Sequence, residues 1–198
     1  MTSSLDCVDL NNYAVFILAD SEKAFSESEI EKLRNDFEES NISILIFSEW
    51  NNSLIESKIG FTDKDTYNKI IPNNVGGSNI SYTNAFLENY GISLGKASIS
   101  SEFNYGGDIV KLRSASIIEK FPQGGFLFGV KSKNDEYLVN ERINESLTKP
   151  IIGLLNKLNG KDNSGRLGVM TDTYCIDDYQ MIKKSNNCFA LINKIYLR

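Results

Sequence analysis

The chain has 198 residues, a net charge of −5, 41% hydrophobic and 24% charged residues, and no histidine. That is enough apolar material for one well-buried globular domain and too much for a disordered chain. The absence of histidine excludes every Ser-His-Asp and Cys-His arrangement and every histidine-bearing zinc site, and the scattered Lys and Arg offer no nucleic-acid groove or anionic-membrane patch.

The first twelve residues carry neither the basic start nor the apolar core of a signal peptide and read as a flexible lead-in. From Tyr13 the pattern sharpens into strand, helix, strand. Tyr13–Ala19 is an apolar run closed by Asp20-Ser21, and Ile42–Phe47 is a second, ending at Ser48-Glu49-Trp50. Runs this short and uniformly apolar suit strands buried on both faces of a parallel sheet. Between them, Glu27–Glu39 places Ile30, Leu33 and Phe37 on one helical stripe. Ser26 and Glu29 have the spacing of a capping box, with Phe25 and Ile30 spaced as a hydrophobic staple. Strand, crossover helix and strand imply a right-handed βαβ unit.

Beyond Trp50, Asn51–Lys58 reads as one or two helical turns, 61–71 as polar with scattered aromatics, and 72–79 as a loop containing Gly76-Gly77. A helix is expected over Tyr82–Tyr90, with Gly91 ending it in the left-handed conformation. From 98 to 140 the signals are short strands forming a β-rich insertion: 97–99, Asp108–Leu112, Ser116–Ile118 and Phe126–Val130. The last is expected to pair with Tyr137–Val139 as a hairpin. Pro150–Leu155 and Arg166–Thr171 read as further strands, the second ending at Asp172-Thr173. The tail from about Asn186 places Cys188, Leu191, Ile192 and Ile195 on one helical face. No linker or internal repeat divides the sequence, so residues 1–198 read as one α/β domain. No apolar run approaches the roughly 18 residues of a membrane span.

Open α/β sheets bind ligands beyond the carboxyl ends of their strands. Here those ends carry Asp20, Glu49 and Asp172, joined by Asp177 and Asp178, an acidic rim suited to a divalent cation or an acid/base pair. Polar residues end strands in every such fold, so a plain solvated rim competes with that reading. Gly76-Gly77 is neither a Walker loop nor a dinucleotide fingerprint, and no lysine follows it closely. Cys175 lacks an activating base as a nucleophile, and no cofactor is implied. On spacing alone, Cys175 and Cys188 either pair or remain free thiols. Asn-x-Ser sequons stand at Asn41, Asn51, Asn79 and Asn144 and lean toward a secretory setting, whereas the missing signal peptide suggests a cytosolic chain or an excised piece.

Several blocks in order carry a resemblance: Asp20–Phe25, Glu29–Arg34, Ile44–Trp50, Pro72 with Gly76–Ile80, Ser114–Pro122, Pro150–Leu154, and Gly165-Arg166 followed by Asp172–Asp178. Together they resemble the non-catalytic region after the subtilisin-like domain in the site-1 protease family of subtilisin/kexin-like serine endopeptidases. The resemblance implies a flavodoxin-like, class I glutamine amidotransferase-like fold, with a mostly parallel sheet and helices on both faces. It implies an accessory domain of a Golgi, membrane-anchored protease whose catalytic triad lies upstream, so no catalytic residue carries over. The implied partners are the subtilisin-like catalytic domain of the parent chain and a protein cofactor, with neither nucleic acid nor membrane contacted by this region. It also implies a Cys175–Cys188 disulfide in the lumen of the secretory pathway. The chain departs from the family at Tyr67–Ile71, where tryptophans are expected, and at Thr171, where glycine is.

Overall fold

A computed structural model describes residues 4–21, 24–40, 42–49, 61–70, 80–105, 108–130, 148–156, 165–174 and 176. The expected helices at 51–58 and from 186, and the strand at 137–139, lie outside these residues. So do Trp50, the Gly76-Gly77 turn, the asparagines of the four sequons, Cys175, Cys188, Asp177 and Asp178.

The organising unit is the expected one. Strand β1 (Val15–Ala19) leads through helix α1 (Glu27–Glu39) to strand β2 (Ser43–Phe47), which lies parallel to β1 with Ile17 opposite Leu45. Helix α1 starts where its cap dictates. Ser26 Oγ accepts from the Glu29 N–H at 3.2 Å, and Glu29 Oε2 accepts from the Ser26 N–H at 2.9 Å. The same Glu29 carboxylate accepts from the Leu5 N–H at 3.0 Å and from the Ser4 hydroxyl. These bonds hold a short 3-10 turn, Leu5–Cys7, against the helix start, and Leu10 is buried. The lead-in expected to be flexible is therefore anchored to α1 from Ser4 onward.

Helix α2 (Ile80–Leu87) continues into a 3-10 turn, Glu88–Tyr90, and Gly91 ends it at φ +68°, in the left-handed region that glycine enters without steric cost. Between α1 and α2, strands β3 (Phe61–Thr62) and β4 (Lys69–Ile70) form a two-residue ladder not foreseen in the sequence. Strands β5 (Ser93–Tyr105) and β6 (Asp108–Lys120) are 13 residues each and form one long antiparallel hairpin with three register shifts. The short strands expected over 97–118 are pieces of this hairpin. Strand β7 (Phe126–Val130) pairs antiparallel with β8 (Lys149–Asn156), which pairs antiparallel with β9 (Arg166–Met170). The main sheet has the order β1-β2-β9-β8-β7 and is mixed: β1, β2 and β9 are parallel, and β8 runs against them. Strand β7 joins the main sheet through β8; its expected hairpin partner, Tyr137–Val139, lies outside the described residues.

Strand alternation sorts the core into two layers. Ile44, Ile46, Leu167 and Val169 pack with Leu33 and Phe37 of α1 and with Ile80, Phe86 and Leu87 of α2. Leu45, Phe47, Met170 and Ile151 face the opposite way and pack with Ala97, Ile99, Val110 and Leu112 of the hairpin. Among the described residues, then, both helices share one layer and a β-hairpin supplies the other. Strand β2 is buried as expected, but β1 is an edge strand and leaves Ile17 55% exposed. Edge position, which composition does not encode, is the reason an equally apolar run is only half covered.

Candidate functional site

Three parallel strands end side by side, and their next residues are the acidic ones. Asp20 follows β1, Ser48-Glu49 follows β2, and Thr171-Asp172-Thr173 follows β9. The sequence thus placed Asp20, Glu49 and Asp172 on one rim, and the structure brings them together. Asp20 Oδ1 accepts from the Glu49 N–H at 3.2 Å, and the Thr173 hydroxyl donates to Glu49 Oε1. Asp20 adopts φ +39°, a left-handed conformation that Asp tolerates better than most non-glycine residues.

Burial pushes the Asp20 carboxyl up to about 6, and the charge of Glu49 pushes the same way; a hydrogen bond from the Glu49 N–H opposes the shift. Asp172 is fully buried. Desolvation raises its carboxyl to about 6 as well, even though the backbone N–H groups of Ser114, Tyr174 and Arg113 favour its charged form. Two carboxyls that change charge near neutrality amount to acid/base capacity. As for a cation, among the described residues no group of three or more Asp, Glu, Cys or His side chains is arranged to hold a metal ion.

The feature that sequence reasoning missed is what lies over the rim. Strand β6 crosses the carboxyl ends of β2 and β9. Ala115 bridges to Glu49, and the Ser116 N–H donates to the Thr171 carbonyl at 2.9 Å. Asp172 Oδ2 accepts from the Arg113 N–H at 2.8 Å and the Ser114 N–H at 3.1 Å, and its Oδ1 accepts from the Tyr174 N–H at 2.7 Å. The carboxylate is therefore committed to the backbone of β6 and to its own turn. The Arg113 guanidinium lies over the Tyr174 ring at 5.0 Å and donates to the Tyr174 hydroxyl at 3.3 Å, which closes the seam from outside. Among the described residues, a strand thus lies across the ends of β2 and β9, where open α/β sheets take ligands. A hydroxyl residue beside each acid, in Ser48-Glu49 and Thr171-Asp172, was the only local signal of it. The partner strand is more than fifty residues away from Asp172 and carries no periodicity that announces the crossing.

Comparison with known proteins shows the family. The family model described as the fourth GATase-like domain of MBTPS1 matches residues 1–197. The subtilisin-like protease SBT6.1 of Arabidopsis thaliana is 30% identical over 98% of the chain, which spans 18% of that protein. The human membrane-bound transcription factor site-1 protease is 28% identical over 96% of the chain, which spans 17% of that protein. The chain thus spans less than a fifth of the length of these relatives. Among solved structures, the mmIFT52 N-terminal domain superposes with a TM-score of 0.54 at 14% identity, covering 92% of this chain and 76% of that one.

Proposed function

Because the chain belongs to the family of the fourth GATase-like domain of site-1 proteases, we propose that it is a non-catalytic accessory domain of a site-1-protease-like, subtilisin-family serine endopeptidase. It supports proteolysis by stabilising the parent protein or by presenting a surface to a partner. The observation that carries this reading is the closed crest. Asp172, the most deeply buried of the described rim carboxylates, accepts from three backbone N–H groups, two of them from the strand that crosses the strand ends. A carboxylate so committed holds the fold together and leaves little for a substrate. The missing histidine points the same way.

In the finer description, the parallel β1-α1-β2 unit with β9 beside it is the flavodoxin-like, amidotransferase-like half of the domain. The antiparallel β8-β7 pair and the β5–β6 hairpin take the place of its remaining layer. A Cys175–Cys188 disulfide and residence in the lumen of the Golgi or secretory pathway belong to this reading. The subtilisin-like domain of the parent chain is its nearest partner. Assaying the purified chain against fluorogenic peptides tests the proposal: no hydrolysis is expected, and turnover that survives removal of contaminating proteases refutes it.

A second reading rests on Asp20, whose carboxyl is raised to about 6 beside Glu49. It makes the rim of Asp20, Glu49 and Asp172 a ligand site of a free-standing enzyme or binder. Millimolar divalent cations or nucleotides would then raise the melting temperature, whereas an accessory domain shows no such shift.

A further inference from the structure

Among the described residues, four buried hydroxyls have no hydrogen-bond partner: Ser48, Ser116, Thr171 and Tyr90. Tyr90 packs against Phe37 and Phe86 in the helical layer. The other three are fully inaccessible to solvent and stand together at the closed crest. Phe47 of β2 lies opposite Met170 of β9, so Ser48 and Thr171 are neighbours one residue further along, and the Ser48 N–H donates to the Met170 carbonyl at 3.0 Å. On the other flank, the Ser116 N–H of β6 donates to the Thr171 carbonyl at 2.9 Å. The backbone therefore fixes a row Ser48–Thr171–Ser116 across three strands, with Thr171 at its centre.

Alternation places these side chains on a common side. Phe47, Met170 and Ala115, the residues immediately before them, all belong to the core cluster shared by the sheet and the hairpin. Adjacent strands are about 4.8 Å apart, and two hydroxyls that share one water at hydrogen-bonding distance stand about 5 Å apart. The three hydroxyls reach no protein partner directly, and neighbouring strands at this spacing leave their side chains within reach of a shared water. Buried hydroxyls are almost always partnered, and polar, enclosed sites of this kind take ordered water.

We propose that Ser48, Thr171 and Ser116 form an internal binding site for water, with Thr171 hydrogen-bonded to a molecule on each side. Each water donates to one hydroxyl and accepts from the next. The chain of bonds ties β6 to β9 and β9 to β2, on the side of the sheet opposite to the Asp172 carboxylate. The crest is then latched twice, by a carboxylate and by hydration.

Two measurements on the full 198-residue chain test this. Magnetisation transfer from water to the Thr171 and Ser116 protons in the unaltered protein reads long-lived bound water directly. Urea unfolding of Thr171→Val, which keeps the shape and deletes the hydroxyl, reads its contribution. Transfer of the sign for water held longer than nanoseconds, together with a lower urea midpoint for Thr171→Val, is the expected result. Either the absence of that transfer or an unchanged or higher midpoint overturns the proposal, since deleting an unbonded buried hydroxyl relieves a penalty.

Discussion

Acidification from pH 7.5 to 5 should stabilise this domain. Asp20 and Asp172 are both raised from an ordinary 3.8 to about 6 in the fold. The folded state therefore binds their protons more tightly than the unfolded chain does. Their stabilising contribution is complete below about pH 3.8 and is lost as pH rises through about 6. For the buried Asp172, that linkage gives about 1.4 kcal/mol between pH 7.5 and 5. Asp20 is partly solvated, and screening reduces its share to a few tenths of a kcal/mol. The sum, about 1.5 to 2 kcal/mol, corresponds to a rise of about 3 to 8 °C in Tm for a chain of this size.

The window is unusually clean because the chain contains no histidine, the only side chain whose ordinary pKa lies within it. Glu29, held below its ordinary value mainly by the Ser26 N–H, stays charged throughout. Differential scanning calorimetry at intervals of half a pH unit is the assay. Asp172→Asn, which keeps a carbonyl oxygen for the Arg113 and Ser114 N–H groups, should flatten most of the profile. A Tm that falls steadily from pH 7.5 to 5 would refute the reasoning.

Gly165→Ala should lower stability by about 2 to 3 kcal/mol in urea titrations, because an added Cβ would lie 2.0 Å from the Ile42 carbonyl oxygen, backbone that cannot step aside without moving β2 against β9. Ser26→Ala removes the side-chain half of the capping box and should cost about 1 kcal/mol, while Ser26→Gly costs only a few tenths. Leu33→Ala empties a fully buried position between α1 and the sheet and should cost about 3 to 4 kcal/mol by the same measurement. Gly91→Ala forces a side chain into φ +68° and should cost about 1 kcal/mol.

Local signals were legible and non-local ones were not. Ser26, Glu29 and the stripe Ile30, Leu33, Phe37 specify α1 within a few residues of sequence, and Gly91 specifies the end of the α2 unit. The carboxyl-end rule brought Asp20, Glu49 and Asp172 together correctly, because it depends only on where parallel strands stop. The pairing of β7 with β8 was not legible. Phe126–Val130 and Pro150–Leu155 read equally well as members of any sheet, and their antiparallel union is set by tertiary packing rather than by their composition. The stretch from Ser98 to Ile118 reads as fragments because the hairpin shifts register between Gly95 and Ile99 and again between Ile99 and Ser101, which interrupts the period-two pattern. The same hairpin closes the rim, so its misreading left the role of Asp172 open. A carboxylate at a strand end looks identical in sequence whether it faces a ligand or the backbone of a crossing strand.

The central claim is that this domain contributes stability to a protease rather than chemistry. The most direct measurement is made in the full-length protein carrying Asp172→Ala, which strips the acceptor from three N–H groups and loosens the hairpin. A lower yield of folded protease and an unchanged kcat/KM per titrated active site are expected. A normal yield of protease with a sharply reduced kcat/KM would contradict it.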